Sequence, residues 1–266
     1  MTLTQQRLGS PPRISVELVP RSAASLTAEV GDIAAKLPWV TTINVPDLLK
    51  FDLRSWDACG VVRGLPGPAG GDGTAYPAIP HVRAADVDPE APLPMAGAIR
   101  EHGIREVLVV SGDDADYFSQ STYPVDAVDV IRRFRTELPE VRVYAGLDPY
   151  RNGVAAEMRY LERKLAAGAV GVFTQPFFDT AFMRAWAGLL PDGIEVWWGA
   201  TTVTSPASVG YWRRRNLVAF PRSFEPSIEW QRDYARQALD VAGEHGHNVY
   251  LMPVRTAVLD YLDGLL

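Results

Sequence analysis

The amino-acid sequence predicts an α/β fold, a (β/α)8 TIM barrel in a single domain. Short apolar segments alternate along the chain with longer amphipathic segments, a pattern typical of βα units around a parallel sheet. Eight strands can be counted within 266 residues, an ordinary length for one barrel. Because alternation alone does not show that the strands close into a circle, a doubly wound open sheet is the alternative fold.

The predicted strands are short and rich in β-branched residues. In chain order they are residues 14–18, 39–44, 78–81, 106–110, 141–146, 171–174, 194–199 and 248–252. The fourth strand is an almost uninterrupted run of Val and Leu, as expected for a strand that is covered on both faces.

Amphipathic helices are predicted between and after these strands. They are residues 24–36, 51–61, 92–101, 125–138, 154–167, 205–214, 227–244 and 255–265. Met158, Leu161 and Leu165, for example, recur at the spacing of one helical face. Residues 64–77 are rich in Gly and Pro, and we interpret this segment as a long loop and a candidate lid.

Composition argues against several classes of function. The net charge of −6 disfavours a nucleic-acid groove, which needs clustered Lys and Arg. Residues 213–215 are consecutive arginines, which we interpret as a solvated helix face rather than a polyphosphate site. Cys59 is the only cysteine, so no intrachain disulfide can form, and we expect it to be a small buried residue.

Targeting and cofactor motifs are also missing from the sequence. The start of the chain lacks the apolar core of a secretory signal, and no apolar run is long enough to cross a membrane, so we expect a cytoplasmic protein. No Gly-x-Gly-x-x-Gly follows a strand, and there is no Walker-type loop or nucleophile elbow. His245 and His247 are interpreted as a surface turn, and no metal site is expected.

Polar side chains stand in or just after most of the predicted strands. They are Glu17, Asn44, His81, Asp113, Gln175, Thr201, Thr202 and Arg255. In a parallel barrel the carboxyl ends of all strands open on one rim, where such enzymes place their chemistry. The pattern therefore predicts a ring of acid, amide and base groups around one substrate.

Each of these residues also has a structural interpretation. Glu17 would be an outward charge on a partly exposed strand, although its neighbours Val16 and Leu18 favour a functional position. His81 would be a buried core histidine, and Asp113 a cap of the next segment. Gln175 is harder to explain structurally, because an amide at the end of a buried strand needs several hydrogen-bond partners. A pterin, with its mixed hydrogen-bonding edge, would supply them.

Four segments together resemble one known family, the methylenetetrahydrofolate reductases. Residues 14–20, ISVELVP, are similar to the opening strand of that family, and residues 79–81, IPH, to its third strand. Residues 103–113 resemble a segment that ends in Arg-Gly-Asp in the family. Residues 161–179, which contain TQPFFD, are the closest match. The resemblance implies one reductase-like barrel domain over residues 1–266.

The resemblance implies an oxidoreductase that interconverts 5,10-methylenetetrahydrofolate and 5-methyltetrahydrofolate, with a place in one-carbon metabolism and methionine biosynthesis. Glu17 would be the general acid that opens the methylene bridge to an iminium ion, because an apolar rim raises the pKa of a carboxyl. Asp113 would lie beside the pterin and stabilise the cation. Gln175 would bind the pterin edge, and Arg255 the outer, glutamate-bearing part.

The family also implies FAD, reduced by NADH or NADPH. Contacts to the flavin would come from a second set of residues: Asn44, His81, Ser111, Gly112, Tyr123, Glu157 and Lys164. This part of the pattern departs from the family. Ser111 replaces the arginine of Arg-Gly-Asp, which removes a cation that would favour a pyrophosphate, and Asn44 replaces a threonine. Two possibilities follow: FAD binds in an altered pose, or hydride passes directly from the nicotinamide to the folate.

Two other functions are compatible with the same barrel. One is a pterin- or corrinoid-dependent methyltransferase, and the other is a catalytically weakened folate-binding or regulatory subunit. The acid at Glu17 argues against the second, because a structural role does not require it. We expect a small tetrahydrofolate derivative as the binding partner, not a nucleic acid or a membrane. The sequence leaves open whether the chain forms a homo-oligomer.

Overall fold

The computed structural model describes residues 12–68, 74–112 and 122–266. Eight parallel strands form a closed barrel in chain order, and the last strand pairs with the first. The strands are β1 Ile14–Glu17, β2 Thr42–Val45, β3 Ala78–Arg83, β4 Glu106–Val110, β5 Arg142–Leu147, β6 Gly171–Pro176, β7 Glu195–Thr201 and β8 Asn248–Met252. The predicted (β/α)8 barrel is confirmed, and the open-sheet alternative is wrong.

Helices follow the strands and cover the outside of the barrel. They are α1 Ala23–Lys36, α2 Ser55–Arg63, α3 Ala96–Glu101, α4 Ala127–Glu137, α5 Val154–Ala167, α6 Thr180–Ala187, α7 Pro206–Arg215, α8 Ile228–Glu244 and α9 Val258–Leu262. Polar N-caps begin several of them, among them Ser22, Asp126 and Ser227. None of the described helices is both long and apolar enough to cross a membrane.

Several helices differ from the sequence-based expectation, and α2 and α3 each begin four residues later than predicted. Helix α6 was not predicted, although Asp179 caps it by accepting hydrogen bonds from the backbone of Ala181 and Phe182. Helix α9 begins at Val258 and not at residue 255, because Arg255 has a positive φ of 56°, which interrupts a helix. The candidate lid, residues 64–77, lies partly outside the described residues.

The strands bury side chains on both of their faces. The outward face packs against the helices in a large apolar layer that includes Cys59, whose predicted buried position is confirmed. The inward face fills the centre of the barrel with a second cluster: Ile79, Leu108, Tyr144, Phe173, Trp197, Tyr250 and Met252. Phe173 and Trp197 stack within it, with ring centroids 4.7 Å apart. The barrel is therefore packed through its middle and is not a pore.

A network of charged residues closes the amino-terminal end of the barrel. Arg13 Nη2 lies 2.7 Å from Glu106 Oε2, and the guanidinium lies 4.8 Å from the centre of the Trp197 ring. The hydroxyl of Tyr144 is 2.8 Å from Glu106 Oε1 and 2.7 Å from Glu195 Oε2. Arg142 completes the network by pairing with Glu195. Each of these charged side chains has a partner of opposite sign, and of the four only Glu106 is buried.

The carboxyl end of β6 is irregular. The pairing of β6 with β7 shifts register between Phe173 and Pro176, and the Thr174 hydroxyl accepts a hydrogen bond from the Gly199 amide at 2.9 Å. A Cβ at Gly199 would lie 2.6 Å from the Thr174 carbonyl oxygen, so glycine is needed at this close approach. Such an irregularity redirects side chains, and here it leaves Gln175 exposed in an otherwise buried strand.

Candidate active site

The carboxyl ends of the strands surround a cavity of about 470 Å³, a size typical of small-molecule sites. The lining comes from the ends of the strands, from the loops that follow them, and from α5 and α7. Seven of the residues singled out in the sequence contribute to it: Glu17, His81, Ser111, Gly112, Glu157, Lys164 and Gln175. Residues distant in the chain thus share one cavity.

Glu17 is the last residue of β1, and its side chain is partly exposed to this cavity. Burial by the surrounding protein raises the pKa of its carboxyl from 4.5 to about 7, and a hydrogen bond from Tyr250 partly offsets that rise. A carboxyl with this pKa is protonated in a large fraction of molecules at neutral pH. It can therefore donate a proton to a ligand in the cavity.

Tyr250 is a lining residue that the sequence-based reasoning missed. It lies on β8, directly opposite Ser15 of β1, and its hydroxyl donates to Glu17 Oε2. Its ring is buried, and it contacts Phe173 edge to face with centroids 5.2 Å apart. The signal was its inward strand position, two residues before Met252, but one tyrosine in an apolar strand does not reveal its partner.

His81 and Asn44 form a buried hydrogen-bonded chain beside the acid. The Ser15 hydroxyl donates to Asn44 Oδ1, and Asn44 Nδ2 lies 3.2 Å from His81 Nε2. Because an amide nitrogen can only donate, His81 accepts through Nε2 and carries its proton on Nδ1. Burial lowers the pKa of His81 to about 4, against a smaller opposing effect of Asp47. The imidazole is therefore neutral at pH 7.

Gln175 faces the cavity from the irregular end of β6. The neighbouring Thr174 is buried and uses its hydroxyl within the sheet. The amide of Gln175 is left in the cavity with both donor and acceptor capacity. It can therefore bind a ligand edge that alternates donors and acceptors.

Glu157 and Lys164 lie on one face of α5 and are buried together. Lys164 Nζ donates to the Gly146 carbonyl oxygen at 2.7 Å, lies 3.5 Å from Glu157 Oε1, and stands 3.7 Å from the centre of the Tyr160 ring. Burial lowers the pKa of Lys164, and Glu157 opposes that effect. The Glu157 carboxylate also accepts a hydrogen bond from Asn152 Nδ2 at 3.1 Å. The ammonium is thus committed to partners within the protein.

Of three other residues predicted to contact the flavin, two line the cavity and one does not. Ser111 and Gly112 line the cavity after β4. Tyr123 does not line the cavity; its backbone amide donates to Ala85 O, and its hydroxyl interacts with Asp88. Asp113, the predicted second catalytic residue, lies outside the described residues.

Arg255 is exposed in the segment between β8 and α9 and is not part of the lining. The nearby Met252 and Val254 do line it. Arg255 therefore occupies the rim outside the cavity, where it would meet only a part of a ligand that projects from the opening.

Further lining residues were not identified in the sequence. Trp212 and Asn216, one helical turn apart, face the cavity from α7 and its end. Asp47 is buried after β2 and accepts a hydrogen bond from Arg54 Nε at 3.0 Å. The four-residue spacing of Trp212 and Asn216 places both on one helix face and can be seen in the sequence. The pairing of Asp47 with Arg54 depends on the fold. In the part of the chain that the structure describes, no three His, Cys, Asp or Glu side chains cluster as a metal site would require.

A closed barrel with polar side chains converging at the carboxyl ends of its strands is the architecture of TIM-barrel enzymes. The sequence model of one family, methylenetetrahydrofolate reductase, matches residues 72–208, slightly more than half of the chain. The protein belongs to the methylenetetrahydrofolate reductase family. His81, Ser111 and Gln175 lie within the matched residues, whereas Glu17 and Tyr250 lie outside them.

Curated relatives agree with this assignment. The chain is 28% identical over 127 residues to the 5,10-methylenetetrahydrofolate reductases of Escherichia coli (strain K12) and Shigella flexneri. The alignment covers 47% of this chain and 43% of each relative, so the chain spans less than half of their length.

Solved structures with a similar fold carry other activities. Oxaloacetate acetylhydrolase in complex with oxalate superposes with a TM-score of 0.59 at 11% identity, over 99% of this chain and 80% of that one. A 2,3-dimethylmalate lyase gives a TM-score of 0.57 at 11% identity, over 98% and 77%. At this identity the likeness establishes the barrel fold alone.

Proposed function

We propose that this protein is an oxidoreductase that interconverts 5,10-methylenetetrahydrofolate and 5-methyltetrahydrofolate, with NADH or NADPH as the hydride donor. The observation that carries the proposal is the cavity position of Glu17, a carboxyl whose pKa of about 7 suits a proton donor at neutral pH. Family membership supports the reaction class.

The reaction needs one proton and one hydride. Because the product keeps its methyl group on N5, the bond from the bridging carbon to N10 is the one that breaks. Glu17 protonates N10, the electron pair of that bond remains on N10, and an N5 iminium ion forms. Hydride from the dihydronicotinamide then adds to the bridging carbon, which leaves oxidised nicotinamide and 5-methyltetrahydrofolate.

Other lining residues bind and orient the substrate in this proposal. The Gln175 amide pairs with the pterin edge. His81, which is neutral and fixed by Asn44, adds no positive charge that would oppose an iminium cation. Asp113 remains the predicted stabiliser of that cation, and Arg255 the predicted partner of the projecting glutamate.

The described residues do not fit the pyrophosphate of FAD, the cofactor that the family implies. The three cations that the structure describes in the lining each have a carboxylate close by: Arg83 Nε is 3.1 Å from Asp86, Arg151 Nε is 3.6 Å from Asp148, and Lys164 Nζ is 3.5 Å from Glu157. Ser111 cannot replace the arginine of the family at this point. We therefore propose that hydride passes directly from the nicotinamide to the folate.

Absorbance spectroscopy of the purified protein tests this proposal. We expect a colourless protein that oxidises NADH or NADPH only when methylenetetrahydrofolate is present, with 5-methyltetrahydrofolate formed in equal amount. A yellow protein whose absorbance near about 450 nm is lost on adding the nucleotide would contradict direct transfer and retain the reaction. No oxidation with either nucleotide would contradict the proposed reaction itself.

A further inference from the structure

The two carboxyl oxygens of Glu17 have different surroundings. Oε2 accepts the hydrogen bond from the Tyr250 hydroxyl. Oε1 accepts no hydrogen bond from the residues that the structure describes, and it is not among the buried side-chain atoms that lack a partner. Since the side chain is partly exposed to the cavity, Oε1 is the oxygen that faces it.

Tyr250 is held firmly in the orientation that makes this contact. Tyr250 is only 3% exposed. Its ring packs edge to face against the rings of Phe173 and His81, with centroid distances of 5.2 Å and 6.1 Å. Burial and the adjacent Glu17 raise the pKa of the phenol well above 10. The hydroxyl therefore keeps its proton over the working pH range and remains a donor.

We propose that Tyr250 is a positioning residue that keeps the transferable proton of Glu17 on Oε1, where it faces the substrate. A proton on Oε2 would point at the phenol hydrogen. It would force that hydroxyl to turn away from its only described hydrogen-bond partner. With the proton on Oε1, both groups are satisfied. This inference rests on the proposed function, in which Glu17 is the acid.

The titratable groups around Glu17 are few. Tyr250 approaches from β8 and stays protonated, and His81 approaches from β3 and is neutral. No charged side chain among the described residues contributes to the pKa of Glu17, which is set by burial and by the hydrogen bond from Tyr250. A change in that pKa on removing the hydroxyl can therefore be assigned to the hydrogen bond.

The test compares Tyr250→Phe with Tyr144→Phe through pH profiles of kcat and kcat/KM. Tyr144 is the matched control, because it is a buried barrel tyrosine that binds glutamates at the opposite end and does not line the cavity. In the parent, kcat/KM should fall as the pH rises through about 7. Removing the Tyr250 hydroxyl should shift the midpoint of this fall to a pH higher by about one unit, since the hydrogen bond lowers the pKa of Glu17. The low-pH plateau of kcat should fall about tenfold with little change in KM.

Tyr144→Phe should lower the Tm. It should change neither kcat nor the pH at which kcat/KM falls. The inference is overturned if Tyr250→Phe has the parental kcat and the parental pH midpoint of kcat/KM, or if both variants shift that midpoint equally. Infrared difference spectra of the Glu17 carboxyl in the same variants measure its titration without turnover. If the parent fails to reduce methylenetetrahydrofolate, the proposed function fails, and an unshifted infrared titration in Tyr250→Phe would separately contradict the contact.

Discussion

The two ends of the barrel hold glutamates whose pKa values are shifted in opposite directions. At the amino-terminal end Glu106 accepts two hydrogen bonds from Arg13, and this pairing holds its pKa below the ordinary value despite burial. At the carboxyl end no cation among the described residues contributes to the pKa of Glu17, and burial raises that pKa to about 7. The same residue type is therefore a paired anion at one end and a carboxyl that is partly protonated at neutral pH at the other, according to its neighbours.

The comparison also shows why polar residues at the two ends should not be interpreted alike. At the amino-terminal end the charges pair with one another, Arg13 with Glu106 and Arg142 with Glu195. At the carboxyl end Glu17 Oε1 and the amide of Gln175 face an open cavity. Unused hydrogen-bonding capacity, more than the presence of polar residues, distinguishes the candidate site.

The largest effect is expected from Glu17→Gln. The amide cannot donate the catalytic proton, so kcat/KM should fall about a hundredfold or more. The same variant should have a higher Tm than the parent at pH 8, because the raised pKa of Glu17 means that ionisation in the folded state is costly there. Steady-state kinetics and thermal melts measure both. Near-parental turnover by a folded variant would remove Glu17 from the mechanism.

The second-largest effect is expected from Glu106→Gln, which should lower the stability of the fold and leave catalysis unchanged. Loss of the carboxylate leaves Arg13 poorly compensated and should cost about 2 to 3 kcal/mol, less than for a fully buried pair because Arg13 is 29% exposed. Since the pKa of Glu106 is lowered on folding, its stabilisation is present at neutral pH and is lost as the pH falls. Urea unfolding at pH 7 and pH 4 measures this, and the variant should show the smaller difference between the two.

Activity is the control for that variant. Folded Glu106→Gln should retain kcat and KM, because its contacts lie at the end of the barrel away from the cavity. A hundredfold loss of kcat in the folded variant would mean that the two ends are not separate in function.

The smallest effect is expected from Gln175→Leu. Removing its amide should raise the KM for the folate about tenfold and change the Tm little, because the side chain is exposed to the cavity. Gln231→Leu is the matched control: Gln231 is buried and donates to the Val203 carbonyl oxygen at 3.1 Å. That control should lower the Tm and leave KM unchanged. The reverse pattern would place ligand binding elsewhere.

The barrel and the position of Glu17 in the cavity could be predicted from the sequence because each depends on local pattern. Strand alternation gave the eight strands, and a glutamate between Val16 and Leu18 pointed to an unusual environment. Tyr250 could not be assigned, because its role depends on the pairing of β8 with β1, which joins residues 233 apart in the chain. The same is true of Lys164, whose commitment to Gly146 and Glu157 appears only in three dimensions.

The most direct test of the difference between the two ends is a carbon-13 NMR titration of the glutamate carboxyls, with Glu17 and Glu106 assigned through their Gln variants. Glu17 should titrate with a midpoint near 7, and Glu106 below its ordinary value. A Glu17 midpoint near the ordinary glutamate value of 4.5 would mean that the cavity carboxyl is ionised at neutral pH. That result would contradict its role as the proton donor.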